Sequence, residues 1–255
     1  MSELPLLKKL YDYSLIRGVF VLLSRRVGRE FGFPEALVYA RAVDFFYRYQ
    51  AIVSKLEDDG TAVLDVGSGK IGVGAFLRNR NVISLDIDPV VVQTAFGKGV
   101  VSPADDLPFK DRAIGNVISA DCLEHLQRGS RAAMVNEMKR VARNVVLLHT
   151  PIQDSCRATD VRFAETHRKL FGGYDKIHQQ HIIYGQPKMA EVLSYFGGDV
   201  EVYPDQNCHT NYILFILQRL PIFGWLTGLL FLFLLKRLYH KPPYYAALFV
   251  WRVKH

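Results

Sequence analysis

Three glycines and an acid near residue 70 have the spacing of a cofactor-binding turn. Gly67, Gly69 and Gly72 follow an apolar segment that begins at Ala62. Glycine permits a turn too tight for side chains and lets the backbone approach a ligand, and the free N–H groups of a helix predicted to follow would face that ligand. Asp86 ends the next apolar segment, where a carboxylate can accept both ribose hydroxyl protons. The pattern predicts a cradle for a cofactor that contains a nucleoside.

The glycines alone leave two cofactor classes open. They also match GxGxxG, the dinucleotide fingerprint, with an acid at about the expected distance. Asp65, two residues before Gly67, would repel the pyrophosphate of a dinucleotide. S-adenosylmethionine has no phosphate, and its ammonium and sulfonium groups are cationic. Asp65 therefore favours S-adenosylmethionine, with an NAD(P)-dependent oxidoreductase as the alternative.

A second motif lies downstream, where residues 105–126 have the sequence DDLPFKDRAIGNVISADCLEHL. Together with the DxGxG turn, it resembles the class I S-adenosylmethionine-dependent methyltransferases, in the branch with LPF and LEHL motifs. The resemblance extends over about residues 62–203. It implies an α/β fold with a Rossmann-like, seven-stranded, mostly parallel sheet whose last strand is antiparallel, and with helices on both faces.

The resemblance also implies roles for the motif residues. Asp65, Gly67 and Gly69 would contact the methionine part of the cofactor, Asp86 the ribose, and Leu107 the adenine. The full set predicted to bind the cofactor is Asp65, Gly67, Ser68, Gly69, Asp86, Ile87, Asp106, Leu107 and Asp121.

Three positions depart from the family pattern. Ile71 stands where a third glycine is usual, and Asn116 replaces the usual acid at the start of the fourth strand. Pro103 stands where relatives carry an acid for the adenine amino group. The residues expected to substitute for that acid are Ser102, Asp105 or Asp106.

Methyl transfer is an in-line displacement, so the enzyme contributes positioning and, for a hydroxyl acceptor, proton removal. A carboxylate acceptor would need no base. Candidate residues should lie at the carboxyl edge of the sheet, and they are Asp121, His125, His149, Asp154 and His181. The predicted catalytic residues are the three histidines, with a structural or lid role as the alternative for each. The histidines predicted to be solvated are His167, His178 and His209.

Composition fits one main domain with no metal site. The chain has 255 residues, of which 49% are hydrophobic, enough for a full α/β core. Cys122, Cys156 and Cys208 are far apart and show neither CxxC nor Cys/His ligand spacing. Neither a disulfide nor a zinc site is predicted.

Four segments are predicted along the chain. Residues 1–58 have helical spacing and form a cap over the site or a cover for one sheet face, and residues 59–211 form the cofactor-binding core. Residues 212–241 form a hydrophobic helical insert, and residues 242–255 form the last strand. Within the core, a helix is expected to begin at Pro187 and to stop at Gly197.

The basic, apolar C-terminal segment suggests that the protein binds an anionic membrane surface. The net charge is +7, and no acid follows Asp205. The apolar run 220–235 is 16 residues long, shorter than the roughly 20 needed to span a bilayer. Its aromatics and flanking bases suit a segment in the membrane interface; a buried helix or a homodimer seam is the alternative. The basic residues of this segment are interleaved with Leu and Phe, which does not favour binding of nucleic acid.

The N-terminus shows no signal-peptide pattern, so a cytoplasmic location, peripheral or monotopic at the membrane, is expected. The predicted function is S-adenosylmethionine-dependent O-methylation of a lipid-linked glycan or another amphipathic small molecule. A non-catalytic protein of the same fold, which binds the cofactor or associates with a membrane, is the alternative from another class.

Overall fold

The computed structural model describes residues 43–77, 80–218 and 236–254. The predicted cap up to residue 42 and the apolar run 220–235 lie outside them. The described helices and strands are, in chain order, α1 (Val43–Val53), β1 (Val63–Val66), β2 (Val82–Asp86), α2 (Pro89–Thr94), β3 (Lys98–Val101), β4 (Ile114–Ala120), α3 (Arg128–Val141), β5 (Ala142–Pro151), α4 (Gln153–Phe171), α5 (Lys176–Tyr184), α6 (Met189–Phe196), β6 (Val200–Asn207), α7 (Cys208–Gln218), α8 (Lys236–Tyr239) and β7 (Tyr244–Arg252).

The strands form one seven-stranded sheet in the order β3-β2-β1-β4-β5-β7-β6. β7 runs antiparallel to both β5 and β6, and the pairs from β3 to β5 are parallel. The predicted fold class is therefore confirmed. The strand order reverses between β1 and β4, and open sheets bind ligands at the carboxyl ends of the strands beside such a point.

The central strands form because they are short apolar runs that the sheet can bury on both faces. Every residue of β1 and β4 is buried. Neighbouring residues alternate between two cores: Leu64 packs with Met134 and Met138 of α3, whereas Val63 packs with Tyr49 and Ile52 of α1. Helices therefore cover both faces, and α1 acts as a cover of one face.

Two local predictions need correction. The turn after β1 is followed by a single 3-10 turn over Val73–Ala75 rather than by a helix within the described residues. A Cβ at Gly74 would overlap the carbonyl oxygen of Phe96, so the β2–β3 connection packs directly on this segment. The later helix, α6, has Lys188 as its N-cap, and Pro187 precedes that cap.

The end of that helix agrees with the prediction. α6 ends at Gly197 in the left-handed conformation, as expected. Among the helices in the described ranges, none is both long and apolar enough to cross a bilayer.

Candidate functional site

The glycine turn lies at the carboxyl end of β1, beside the point where the strand order reverses. Gly67 and Gly69 have positive φ values of 70° and 56°, a conformation that favours glycine. The N–H groups of Gly67 and Ser68 donate to the carbonyl of Leu85 at 2.8 and 3.0 Å. The turn is thereby fixed to β2, and its backbone can approach a ligand closely.

Asp86 holds this turn from the end of β2. Its Oδ2 accepts from the N–H of Gly69 at 3.1 Å, and its Oδ1 accepts from the N–H of Asp88 at 3.0 Å. An ionised carboxylate has about four lone-pair sites, so two remain for other donors. The half-buried carboxylate can still accept from ribose hydroxyls. The adjacent Ile87 is largely exposed.

Asp65 lies beneath the turn and is fully buried. Its Oδ2 accepts from the N–H of Val73 at 2.6 Å, and its Oδ1 has no hydrogen-bond partner among the described residues. Burial raises the pKa of Asp65 to about 7, the Asp86 carboxylate adds to the rise, and the Val73 hydrogen bond opposes it. A cation near Asp65 would favour its charged form.

The LPF segment is anchored to α3. The N–H of Leu107 donates to Glu137 Oε2 at 2.8 Å, and Arg140 donates to the carbonyls of Leu107 and Phe109 at 3.0 and 2.8 Å. Leu107 is buried in the core, whereas Asp106 is exposed. The segment is rigid at the side of the sheet where the resemblance places adenine.

Asp121 follows β4 with a positive φ of 50° and makes two short contacts. Its Oδ2 lies 2.7 Å from Arg48 of α1, and its Oδ1 lies 2.7 Å from Nδ1 of His149. Arg48 was absent from the sequence prediction because nothing in its local pattern indicates that α1 reaches this edge.

His149 does not fit the predicted role of general base. The side chain is fully buried, and its Nε2 lies 3.3 Å from Asp205 Oδ2, so both ring nitrogens face carboxylates. Burial alone would lower the pKa of His149, but Asp121 and Asp205 outweigh it and raise that pKa to about 9. The ring is an imidazolium at neutral pH and has no lone pair for a proton. We assign it a structural role.

The other two predicted histidines lie together with an acid. One ligand atom each from Glu124, His125 and His181 can be chosen so that all lie within 4.8 Å of one another. The His125 and His181 rings have centroids 5.0 Å apart. Glu124 is fully buried, which raises its pKa to about 7. Glu124 was not among the predicted site residues, although its place beside His125 in LEHL was a usable signal.

The structure also gives the exposure of several other residues named in the predictions. Asp154 is exposed in the first turn of α4, and His209 is exposed as predicted. His167 is buried, contrary to prediction, because its ring packs between Phe163 and Phe171 and its Nδ1 lies 2.7 Å from the carbonyl of Gly173. The side chain of His178 lies outside the described part of the chain.

Residues 64–148 match the model of a family described as a methyltransferase domain. This segment contains the glycine turn, Asp86, the LPF segment and LEHL. No curated protein sequence matches the chain significantly.

Solved structures share the fold across most of the chain. A SAM-dependent methyltransferase from Thermotoga maritima aligns with 91% of this chain and 98% of its own, at 10% identity and a TM-score of 0.55. A SAM-dependent methyltransferase from Archaeoglobus fulgidus aligns with 83% of this chain and 94% of its own, at 13% identity and a TM-score of 0.54. At such identities the likeness concerns the fold.

Proposed function

We propose that this chain, which belongs to the class I S-adenosylmethionine-dependent methyltransferases, methylates an oxygen of a lipid-linked glycan or another amphipathic small molecule at the cytoplasmic membrane face. The observation that supports the proposal is the placement of two unlike sites on one sheet edge. The glycine turn and Asp86 end β1 and β2, and Glu124 and His125 of a polar cluster follow β4.

The first site has the features that the cofactor needs. When bound, S-adenosylmethionine supplies an electrophilic methyl group on a cationic sulfonium. The Gly67–Gly69 backbone would lie against the methionine part, with Asp65 beneath it as the nearby negative charge. Asp86 would accept from the ribose hydroxyls with the lone pairs that Gly69 and Asp88 leave open. The residues present therefore fit this cofactor.

The second site suits an acceptor hydroxyl. Glu124, His125 and His181 place a carboxylate and two imidazoles close together, and these groups can orient a hydroxyl and take its proton. His125 and His181 remain our catalytic candidates. His149 lies next to them as a buried cation that fixes Asp121 and Asp205.

The apolar run 220–235 supports a lipid-linked or amphipathic acceptor. The segments that flank it are tied together, since Asn207 Nδ2 donates to the carbonyls of Lys241 and Pro242 at 2.9 and 3.0 Å, and the N–H of Cys208 donates to the carbonyl of Pro243 at 2.8 Å. The chain therefore leaves the sheet and returns to it at one place. A membrane contact made by this run would begin and end on the same side.

Calorimetric titration with S-adenosylhomocysteine and with NADH tests which class of cofactor the protein binds. We expect S-adenosylhomocysteine to bind and Asp86→Ala to weaken it by about 1–3 kcal/mol, because the ribose hydroxyls lose an acceptor. Asp58→Ala removes an acid that is 94% exposed and should leave binding unchanged. Binding of NADH alone would indicate an oxidoreductase, and binding of neither would indicate a membrane-associated protein of this fold that uses no such cofactor.

The acceptor class can be tested with S-adenosylmethionine labelled in its methyl group. Incubation with a membrane extract should transfer label to material that partitions into organic solvent. Label recovered only in water-soluble products would contradict the amphipathic acceptor while leaving the methyltransferase assignment intact.

A further inference from the structure

We propose that Glu124, His125 and His181 bind a divalent transition-metal ion at the carboxyl edge of the sheet. A carboxylate oxygen and one nitrogen from each histidine can be chosen within 4.8 Å of one another. In a tetrahedral zinc site with bonds of about 2.0–2.1 Å, ligand atoms are about 3.3 Å apart. A decrease of up to about 1.5 Å in the distances between these ligand atoms would therefore bring all three to a metal.

The groups around the two histidines orient them as metal ligands. Nδ1 of His125 lies 3.1 Å from Gln180 Oε1. Nδ1 of His181 lies 3.4 Å from Asp160 Oδ2 and 3.4 Å from Gln186 Nε2, which itself donates to Asp160. Histidines that bind metals usually give their other ring nitrogen to such an acceptor, which fixes the tautomer. Nε2 of each ring is then the ligand atom.

Asp160 is itself held in place. Tyr245 donates to its Oδ1 at 2.7 Å, and Gln186 Nε2 donates to its Oδ2. Asp160 is also buried. The pairing of a fixed carboxylate with His181 is the arrangement found behind many zinc-binding histidines.

Glu124 supplies an independent observation. Its side chain is fully buried, Thr150 donates to its Oε2 at 3.2 Å, and its Oε1 has no hydrogen-bond partner among the residues that the structure describes. A buried carboxylate oxygen without a partner is costly. A bound cation would compensate that oxygen directly.

The ligand set points to a class of metal. Two imidazoles with one carboxylate suit Zn²⁺, Co²⁺, Fe²⁺ or Mn²⁺, whereas Ca²⁺ and Mg²⁺ prefer oxygen ligands. Three protein ligands leave a coordination position open. If the proposed function holds, an acceptor hydroxyl can occupy that position, and the metal lowers its pKa so that its proton passes to a solvent water. His125 and His181 then act as metal ligands and not as the base. The metal site itself does not depend on that function.

Local sequence did not indicate this site. Glu124 and His125 are adjacent, but His181 is supplied by α5, and the cysteine and histidine spacing that marks many zinc sites is absent.

Cobalt titration of the full-length protein, freed of metal by chelation, tests the proposal. Co²⁺ should bind one equivalent and give the visible absorption bands of a site with nitrogen ligands, and Zn²⁺ should displace it. His181→Ala and Glu124→Gln should weaken Co²⁺ binding by about 100-fold or more. Asp160→Asn should weaken it by about 10- to 100-fold through His181. His209→Ala, which removes an exposed histidine, should have no effect.

Thermal melts should show that each variant is folded, and Glu124→Gln provides a nearly isosteric second test if His181→Ala does not fold. S-adenosylhomocysteine should bind equally to the metal-free and the metal-loaded protein. Absence of Co²⁺ binding, or equal binding by wild type and both ligand variants, would overturn the metal site. If the wild-type protein binds Co²⁺ but does not bind S-adenosylhomocysteine in either metal state, the proposed function is overturned and the metal site is not.

Discussion

Asp65 shows how burial at one residue can make cofactor binding depend on pH. Its pKa is raised to about 7, mainly by burial, so the carboxyl group is partly protonated near neutrality. The ammonium group of S-adenosylhomocysteine, placed near Asp65, would favour the charged form. Affinity for S-adenosylhomocysteine should therefore fall as pH decreases below about 7, by up to about tenfold for each pH unit.

Calorimetry between pH 5 and 7.5 measures this dependence. Asp65→Asn keeps an acceptor for the N–H of Val73 but cannot ionise, so its affinity should vary less with pH. The ratio of wild-type to variant affinity cancels any titration of the ligand. A ratio that is constant with pH would mean that Asp65 does not exchange a proton when the cofactor binds.

His149 should contribute to stability in a defined pH range. Its pKa is raised above 6.5 to about 9 in the folded state. Its contribution is therefore complete below about pH 6.5 and is lost as pH rises through about 9. His149→Ala leaves the carboxylates of Asp121 and Asp205 without their shared cation. This should lower the free energy of unfolding by about 3–5 kcal/mol at pH 6.5 and by less at pH 9.5.

Urea unfolding at these two pH values provides the measurement, with His209→Ala as the exposed control. Unchanged stability together with a loss of turnover would return His149 to the role of base. The sequence placed His149 correctly near the end of a strand. It could not show that Asp121 and Asp205, which come from other parts of the chain, face both ring nitrogens.

At the scale of elements, the sequence pattern predicts those strands and helix ends that depend mainly on neighbouring residues. β1 and β2 are the apolar segments on either side of the glycine turn and form where expected, and the glycines after α6 stop that helix. The helix expected after the glycine turn is replaced, within the described residues, by a 3-10 turn that packs against the β2–β3 connection. The carbonyl of Phe96 approaches Gly74 from the β2–β3 connection. The sequence of either segment alone cannot predict this contact.

The end of α6 allows a matched test with opposite signs. Gly197 has a φ of 73°, and a Cβ added there would meet nothing within 4 Å, so Gly197→Ala adds backbone strain without a clash. We expect a loss of about 1–2 kcal/mol in unfolding free energy. Gly129 in α3 has the same open space without a positive φ, and Gly129→Ala should stabilise by about 0.4–1 kcal/mol. Two changes of the same sign would contradict this interpretation.

At the scale of the whole molecule, the antiparallel β7 restricts how the chain can contact a membrane. β6 and β7 pair along their length, from Val200 opposite Trp251 to Asn207 opposite Tyr244. The run 220–235 connects two strands of one sheet, so both must remain on the same side of a bilayer. A single crossing would separate them. The run can contact one leaflet, and the acid-free sequence on both sides of it should favour anionic lipid.

Co-sedimentation of the full-length protein with anionic and with neutral liposomes tests this last prediction. The protein should pellet with anionic liposomes, and added salt should reduce binding partly because it screens only the electrostatic contribution. Replacing Leu229, Phe231 and Phe233 by Ser should reduce binding further, whereas Val161 and Leu170, which are exposed on α4, should tolerate Ser without effect. A protein that stays in solution with both kinds of liposome would assign the run to a buried core or a dimer seam. A C-terminal tag accessible only from outside the cell would contradict this prediction. It would require β7 to cross the membrane and so to lose its pairing with β5 and β6.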